Sequence, residues 1–245
     1  MEVKPYKHLT ESKKNQVASM FNAIAGKYDF LNHFLSLGID KYWRKKTIEL
    51  LKISHPRIIL DLATGTGDLA IAAVKLNPEK IIGVDLSEGM LLIGKSKIEK
   101  LHLQELIILQ KGDSENLIFP DNSFDAVTIA FGVRNFENIE SGLKEINRVL
   151  KPDGTLVILE FSMPRKFPVK QLYHNYFKII LPLIGKLISK DSSAYTYLYQ
   201  SVQAFPDQDN FSTLLTQCGF KKVKYKSLTF GIVNIFQAEK SIQKG

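Results

Sequence analysis

The chain has 245 residues, 44% of them apolar and 24% charged, and 33 Lys and Arg against 25 Asp and Glu give a formal net charge of +8. This length fits one large α/β domain, and the ordinary apolar fraction excludes a disordered chain and a coiled coil. The positive charge is compatible with nucleic acid, an anionic membrane surface or an acidic ligand, and does not choose among them. Cys218 is the single cysteine, which excludes an internal disulfide and a cysteine-based metal cage.

Nothing in the sequence indicates secretion or membrane insertion. The polar start, Met1 to Val17, lacks the apolar core of a signal peptide. The longest apolar stretch, Tyr176 to Ile188, is interrupted by Pro182, Gly185 and two lysines, and falls short of the ~20 residues of a membrane-spanning helix. We therefore expect a soluble, cytoplasmic protein.

Helical periodicity dominates the first 55 residues. Apolar side chains recur at helical spacing from Asn15 to Leu37, and Gly26 and Gly38 interrupt or end the pattern, so we expect two short helices there. The segment from Trp43 to Leu51 is typical of a further helix.

After Pro56, short apolar runs alternate with helical segments. Apolar runs of this kind are typical of strands buried on both faces, which occur in parallel sheets covered by helices. The predicted strands are Ile58–Leu62, Ile81–Val84, Leu106–Leu109, Ala126–Ile129 and Thr155–Leu159. The predicted helices between them are Asp68–Leu76, Glu88–Lys100 and Ile139–Leu150. The alternation predicts a doubly wound α/β fold.

The alternation is interrupted after Pro164 by an aromatic segment, Val169 to Gln203, which we predict to be helical and interpret as a lid over the strand ends. A helix at Asp209–Cys218 and a hairpin of two strands, Lys222–Ser227 and Ile232–Ala238, follow. The single domain, 1–245, thus divides into a helical cap (1–55), a core (56–163), a lid (164–205) and a closing helix and hairpin (206–240).

A glycine turn follows the first predicted strand. Gly65 and Gly67 permit backbone torsions and a close ligand approach that a Cβ would block. In an open α/β sheet, the crevice at the carboxyl end of this strand is the usual ligand site. We predict that Gly65, Thr66 and Gly67 bind a cofactor, although the pattern also fits the dinucleotide fingerprint.

Polar side chains follow the next two strands. Asp85 ends the second strand about 20 residues after the glycine turn, where an acid typically receives ribose hydroxyls. Asp113 and Ser114 follow the third strand, where they could meet an adenine amino group and add backbone donors. We predict that all three bind the cofactor.

Two further features are Phe124–Val127, which opens the fourth strand, and the turn at Leu150–Gly154. Together with the glycine turn and the polar residues after the second and third strands, they form a pattern that resembles the class I S-adenosylmethionine-dependent methyltransferases. The resemblance implies S-adenosylmethionine as the cofactor. It also implies a mostly parallel seven-stranded sheet with an antiparallel last strand, in agreement with the terminal hairpin. No metal is expected.

Two longer stretches narrow the resemblance. Tyr28 to Gly38 with the following Trp43, and Arg148 to Ser162, resemble the menaquinone/ubiquinone-biosynthesis C-methyltransferase family, whose members methylate a polyprenylated quinol ring. Phe131–Asn135 and Phe205–Gln208 fit the same family. The resemblance implies an enzyme that transfers a methyl group to a ring carbon.

The chemistry implied by the family requires a quinol, because the ring carbon of a neutral quinone is no nucleophile. Loss of a phenolic proton from the quinol raises the electron density on the ring carbon beside the hydroxyl. The predicted catalytic residues are Tyr28, Asp29, His33 and Arg134. His33 could act as a base, and the Arg134 guanidinium can stabilise a phenolate, with a salt bridge inside its loop as the alternative. Asp40 and the next residue stand where the family usually shows His-Arg.

The implied substrate is a polyprenylated quinol, and we favour demethylmenaquinol because the chain is compact and lacks an N-terminal targeting extension. Basic side chains flank the aromatic segment: Arg165, Lys166, Lys170, Lys178, Lys186 and Lys190. They predict transient, peripheral contact with an anionic membrane surface, with a solvated charged face as the alternative. Self-association into a homo-oligomer is left open.

Other functions compete with this prediction. They are a ubiquinone-pathway benzoquinol C-methyltransferase, an RNA methyltransferase, an NAD-dependent oxidoreductase and a non-catalytic quinone-binding protein. The oxidoreductase rests on the glycine fingerprint alone. An RNA enzyme fits the positive charge, but Ile129–Gly132 replaces the Asn/Asp-Pro-Pro-aromatic loop usual in amino-directed nucleic-acid enzymes of this fold. We therefore expect no nucleic-acid partner.

Overall fold

The computed structural model describes residues 3–175 and 193–241. Its helices are α1 (Lys13–Leu35), α2 (Ile39–Leu51), α3 (Asp68–Ala73), α4 (Glu88–Lys100), α5 (Ile139–Val149), α6 (Val169–Asn175), α7 (Ser193–Ala204) and α8 (Gln208–Gln217). Its strands are β1 (Ile58–Leu62), β2 (Lys80–Asp85), β3 (Ile107–Lys111), β4 (Phe124–Ala130), β5 (Leu150–Phe161), β6 (Phe220–Leu228) and β7 (Val233–Lys240).

The strands of the described ranges form one seven-stranded sheet in the order β3-β2-β1-β4-β5-β7-β6. Strands β1 to β5 are parallel, and β7 runs antiparallel to both of its neighbours. The predicted doubly wound, mostly parallel sheet with a closing hairpin is confirmed. Strand order reverses at β1 and β4, and a crevice outside their carboxyl ends is where such sheets bind ligands.

Helices cover both faces of the sheet, because the central strands are apolar on both sides. On one face Leu60 of β1 belongs to a core with Ile146 of α5 and Phe211 of α8. On the other face Ile59 belongs to a core with Leu69 of α3. Fully burying a side chain of this size stabilises the fold by roughly 1.5–3 kcal/mol, so these two layers hold the sheet edge in place.

The predicted break at Gly26 is wrong, because α1 runs without interruption from Lys13 to Leu35. Glycine inside a helix costs only about 1 kcal/mol relative to alanine. The buried residues Val17, Met20 and Leu31 lie on both sides of Gly26, and their packing offsets that cost. Gly38, in contrast, has a left-handed φ of 76° and separates α1 from α2, as expected.

The predicted turn at Leu150–Gly154 lies within β5 instead of preceding it. Leu150 pairs with Phe124, and regular pairing with β4 resumes only at Thr155. The irregularity between these positions contains Asp153 with a φ of 60°. It is a bulge, which pairing on either side keeps inside the strand.

Of the predicted lid, the structure describes α6 and α7, and residues 176–192 lie outside the described residues. The longest apolar stretch of the sequence falls in that gap. Within the described ranges, no helix has the length and apolar content that crossing a bilayer requires.

Helix α1 lies across the carboxyl edge of the sheet and is hydrogen-bonded to the loops that follow four strands. The contacts are Lys13 Nζ to the Phe136 carbonyl at 2.6 Å, Lys14 Nζ to Asp113 Oδ2 at 2.6 Å, Ser87 Oγ to Asn22 Oδ1 at 2.7 Å and Thr66 Oγ1 to Asp29 Oδ1 at 2.6 Å. These bonds make α1 one wall of the ligand site at the strand ends.

The two glycines of the N-terminal helices should respond oppositely to alanine, although a Cβ would meet no atom within 4 Å at either position. Gly26→Ala should raise the free energy of unfolding by roughly 0.5–1 kcal/mol, because Gly26 is exposed inside a helix. Gly38→Ala should lower it by about 1–2 kcal/mol, because an L-residue is strained at positive φ. Urea unfolding of both variants measures this, and a destabilised Gly26→Ala would contradict the continuous helix.

Candidate functional site

A cleft at the carboxyl ends of β1 to β4 brings together four of the six predicted cofactor-binding residues. Gly65, Asp85, Asp113 and Ser114 line it: Gly65 follows β1, Asp85 ends β2, and Asp113 and Ser114 follow β3. The opposite wall comes from α1, which contributes Val17, Ala18 and Phe21, and Met90 and Phe136 add further apolar surface. The cleft therefore combines apolar walls with polar groups from the strand ends.

Asp85 is held rigidly at the end of β2. Its Oδ2 accepts the Gly65 N–H at 2.8 Å, and its Oδ1 accepts the Ser87 N–H at 2.8 Å. Burial raises the pKa of the Asp85 carboxyl, and these backbone hydrogen bonds oppose the rise. A carboxylate oxygen accepts more than one hydrogen bond, so both oxygens can still receive hydroxyls from a ligand in the cleft.

Asp113 lies at the far end of the cleft from the glycine turn and is fixed from both sides. Its Oδ2 accepts from Lys14 Nζ at 2.6 Å, and its Oδ1 accepts the Glu115 N–H at 2.9 Å. Ser114 beside it is buried. The lysine ties α1 to this end of the cleft. Lone pairs of the Asp113 carboxylate remain that can accept hydrogen bonds from the amino edge of a base.

The glycine turn adopts the torsions that the sequence implied, with φ of 57° at Gly65 and 81° at Gly67. Thr66 and Gly67 do not line the cleft. The Thr66 hydroxyl instead donates to Asp29 Oδ1 at 2.6 Å, and Lys97 Nζ lies 3.0 Å from Asp29 Oδ2. The structure thus places Asp29, a predicted catalytic residue, in an ion network that fastens α1 to the turn.

A small polar pocket adjoins the turn, and sequence reasoning assigned no binding role to its three charged side chains, Arg44, Asp61 and Asp68. Asp61 accepts hydrogen bonds from Thr64 Oγ1 at 2.5 Å and Thr128 Oγ1 at 2.6 Å. Burial raises the pKa of the Asp61 carboxyl to about 6, against the effect of these bonds. Its signal in the sequence was a single charge inside the apolar run of β1.

The third space is a cavity of about 600 Å³. Trp43, Phe131 and Phe161 line one part of it, with the Phe131 and Phe161 rings stacked 4.3 Å apart and Trp43 edge-on to both. Most of its other lining residues are aliphatic or aromatic and come from α1, α2, α6, α7 and the β6–β7 turn. A volume of this order is typical of sites for small organic ligands.

Tyr28 and Phe131 each line the cleft, the polar pocket and the large cavity, so they mark the point where the three spaces meet. Phe131 has a left-handed φ of 58°, and its N–H donates to the Leu159 carbonyl at 2.7 Å. Burial raises the pKa of the Tyr28 hydroxyl, opposed by Asn32 and the nearby Arg44 and Arg134. Tyr28 is the predicted catalytic residue that the structure brings to this junction.

Arg134 also lines the large cavity, and it forms a buried ion pair. Its Nη1 lies 2.7 Å from Glu160 Oε1 and also donates to the Phe131 carbonyl. The Glu160 side chain is fully buried, and its Oε2 accepts the Arg134 N–H at 3.3 Å. Within the described ranges, the buried Arg134 Nε atom has no hydrogen-bond partner. Arg134 therefore forms its ion pair with Glu160 of β5, not within its own loop as the alternative prediction had it.

His33 does not reach these spaces. Its Nδ1 lies 2.8 Å from Asp40 Oδ2, and Asp40 also bonds Ser36 Oγ and the Arg44 guanidinium. Burial opposes ionisation of Asp40, but the Ser36 and Arg44 contacts outweigh it and lower the pKa of that carboxyl. Asp40 thus has a structural explanation in this chain: it anchors the α1–α2 corner.

The donor set fits a nucleoside carrying an amino-acid end. The cleft offers a fixed carboxylate at Asp85 for a diol, apolar walls for a planar base, and an acid at Asp113 for its amino edge. The polar pocket beyond Gly65 offers a carboxylate at Asp61 and a guanidinium at Arg44, which match an ammonium and a carboxylate.

The chain is similar to known proteins both in fold and in sequence. The chain is 19% identical to a SAM-dependent methyltransferase from Thermotoga maritima, whose solved structure has a TM-score of 0.66 and matches 91% of this chain and 99% of that one. It is 49% identical over 240 residues to a protein of Bacteroides fragilis named demethylmenaquinone methyltransferase, with 98% of each chain covered. It is 46% identical to a ubiquinone/menaquinone biosynthesis C-methyltransferase of Geotalea daltonii, covering 95% of this chain and 99% of that protein.

The fold is therefore the Rossmann-like fold of class I methyltransferases. Residues 9–240 match the ubiE/COQ5 methyltransferase family. The chain belongs to that family, which confirms the family expected from its motifs.

Proposed function

We propose that the protein transfers a methyl group from S-adenosylmethionine to a ring carbon of a polyprenylated quinol, converting demethylmenaquinol to menaquinol. The observation that carries the proposal is the junction at Tyr28 and Phe131, where a polar cleft opens into an apolar cavity. A charged cofactor and an apolar substrate need adjoining spaces of these two kinds. The 49% identical relative named for demethylmenaquinone supports the naphthoquinol.

For the cofactor, we propose that Asp85 binds the ribose hydroxyls, Asp113 and Ser114 the adenine edge, and Asp61 and Arg44 the amino-acid end. Bound S-adenosylmethionine supplies an electrophilic methyl group on a positively charged sulfur. The turn at Gly65 leaves room for the backbone to approach it. Calorimetry with Asp85→Ala tests the ribose assignment, which unchanged cofactor affinity would contradict.

For the ring, we propose that Arg134 favours the phenolate form of the quinol. Glu160 already balances the guanidinium charge, so the stabilisation comes from the directed Nε–H rather than from net charge. In a dry cavity, such a fixed donor is worth more to a developing oxyanion than to a neutral hydroxyl. In the described part of the chain, Glu160 accepts hydrogen bonds from Arg134 and Phe161. We therefore assign the phenolic proton that leaves the quinol to neither Arg134 nor Glu160.

We also propose that the cavity mouth touches the membrane surface. Leu37, Leu172 and Phe230 line the cavity and are 84%, 65% and 82% exposed. Lys166 before α6 and Lys170 in its first turn are exposed, and such a basic, apolar rim suits an anionic bilayer that holds the prenyl tail. Sedimentation with anionic and neutral vesicles tests this, and equal, negligible binding to both would contradict it.

The function itself is tested by turnover of demethylmenaquinone with methyl-labelled S-adenosylmethionine, with and without dithionite. We expect label in the ring only under reducing conditions, because the oxidised ring has no nucleophilic carbon. Label incorporated without dithionite, or no label under either condition, would contradict the proposal.

The same assay separates the two quinol classes. A demethylated benzoquinol precursor with the same prenyl tail is the matched comparison, since the Geotalea relative carries both pathway names. We expect a higher kcat/KM for the naphthoquinol. A preference for the benzoquinol would move the protein to the ubiquinone pathway without changing its chemistry.

A further inference from the structure

Lys13 begins α1 at a place where a lysine is unfavourable for two reasons. Its side chain is buried, although lysines are almost never buried unless they are paired. It also stands at the N-terminus of a helix, where the macrodipole disfavours a positive charge. A residue placed against both preferences indicates that its ammonium makes specific contacts that offset them.

Those contacts are made to the loop that follows β4. Lys13 Nζ donates to the Arg134 carbonyl at 3.1 Å and to the Phe136 carbonyl at 2.6 Å. In the opposite direction, Glu137 Oε1 of the same loop accepts the Lys13 N–H at 2.9 Å, which satisfies one of the free amides at the start of the helix. The start of α1 and this loop therefore hold each other in place.

Arg134 is consequently fixed on both sides of its Cα atom. Its N–H donates to Glu160 Oε2 at 3.3 Å, and its carbonyl accepts from Lys13. A residue has only two soft backbone torsions, so orienting both flanking peptide planes determines where its side chain points. Loss of the Lys13 contacts would free the peptide plane after Arg134 and leave the ion pair with Glu160 intact.

We propose that Lys13 is a positioning residue for the methyl transfer, because its hydrogen bond to the Arg134 carbonyl aims the Arg134 side chain at the quinol oxygen. This inference rests on the proposed function, in which Arg134 favours the phenolate. In the part of the chain that the structure describes, Lys13 lines none of the three spaces of the site. Its effect on the reaction therefore passes through Arg134.

The test is a double-mutant cycle on the turnover of reduced demethylmenaquinone at saturating cofactor. Lys13→Met removes the donors and keeps an unbranched side chain. It should lower kcat about tenfold, since a misplacement of about 1 Å can cost as much as 10²-fold. The KM for the quinol should change little, because Arg134 acts on charge that develops in the transition state.

The second arm of the cycle starts from Arg134→Ala. Adding Lys13→Met to that variant should leave its kcat unchanged, because the group that Lys13 positions is already absent. A lysine that only stabilised the fold would lower kcat by the same factor in both backgrounds, since independent effects are additive in free energy.

Further variants separate positioning from folding. Lys13→Arg keeps charged donors for the two carbonyls and should recover most of the lost rate. Lys27→Met makes the same change at an exposed position of α1 and should leave kcat at the wild-type value. If Lys13→Met folds poorly, Lys13→Gln, which retains an amide donor, should show a smaller loss with the same dependence on Arg134.

Wild-type kcat in folded Lys13→Met, or an equal loss with and without the Arg134 side chain, would overturn the proposal and leave the proposed function standing. A wild-type protein that does not methylate the reduced quinone would overturn the proposed function, and this inference with it. The two failures are therefore distinguishable in one set of assays.

Discussion

The attachment of α1 across the carboxyl edge of the sheet is the constraint on which the site depends. Four of its hydrogen bonds end on loops that follow four different parallel strands, so the helix and the loops cannot move independently. Lys14 and Asp29 belong to ion pairs that are only partly exposed. Partly buried pairs are screened less by salt than exposed ones, so the attachment persists at physiological ionic strength.

This arrangement explains why one edge of the sheet carries two environments. Where α1 crosses the loops after β2 and β3, fixed carboxylates face the cleft. Towards the end of α1 its neighbours are α2, α6 and α7, and the space becomes apolar. Tyr28 lies at the change because it is on the helix that borders both. An arginine kept charged in the apolar part requires a buried partner, and Glu160 at the end of β5 provides it.

The sheet was predictable because its signals are local. The apolar run Ile58–Leu62 coincides with β1, and the glycine turn after it has the torsions that its composition required. Gly26 does not break α1, because the helix penalty of a glycine, about 1 kcal/mol, is smaller than the packing free energy of one helix face. The bulge in β5 was missed because the pairing of Leu150 with Phe124 is not visible in the local sequence.

The site was predictable only in its outline. Residues at strand ends converge in any sheet of this type, and Gly65, Asp85, Asp113 and Ser114 do so. The contribution of α1 depends on contacts between residues about 100 positions apart, such as Lys14 with Asp113. Such contacts have no spacing signal. The motif therefore singled out Asp29 and His33 but did not indicate that they pair with Lys97 and Asp40.

The central claim is that the Arg134 side chain acts on the quinol oxygen beyond holding its loop. The direct measurement is kcat for Arg134→Ala and Arg134→Lys, together with cofactor affinity and melting temperature. Arg134→Ala should lower kcat by ~10²–10³ and also lower the melting temperature, because Glu160 loses its partner. Arg134→Lys should recover melting temperature but not kcat, because an ammonium can pair with Glu160 without placing a donor at Nε. Wild-type kcat in folded Arg134→Ala, or full recovery of kcat by lysine, would contradict the account.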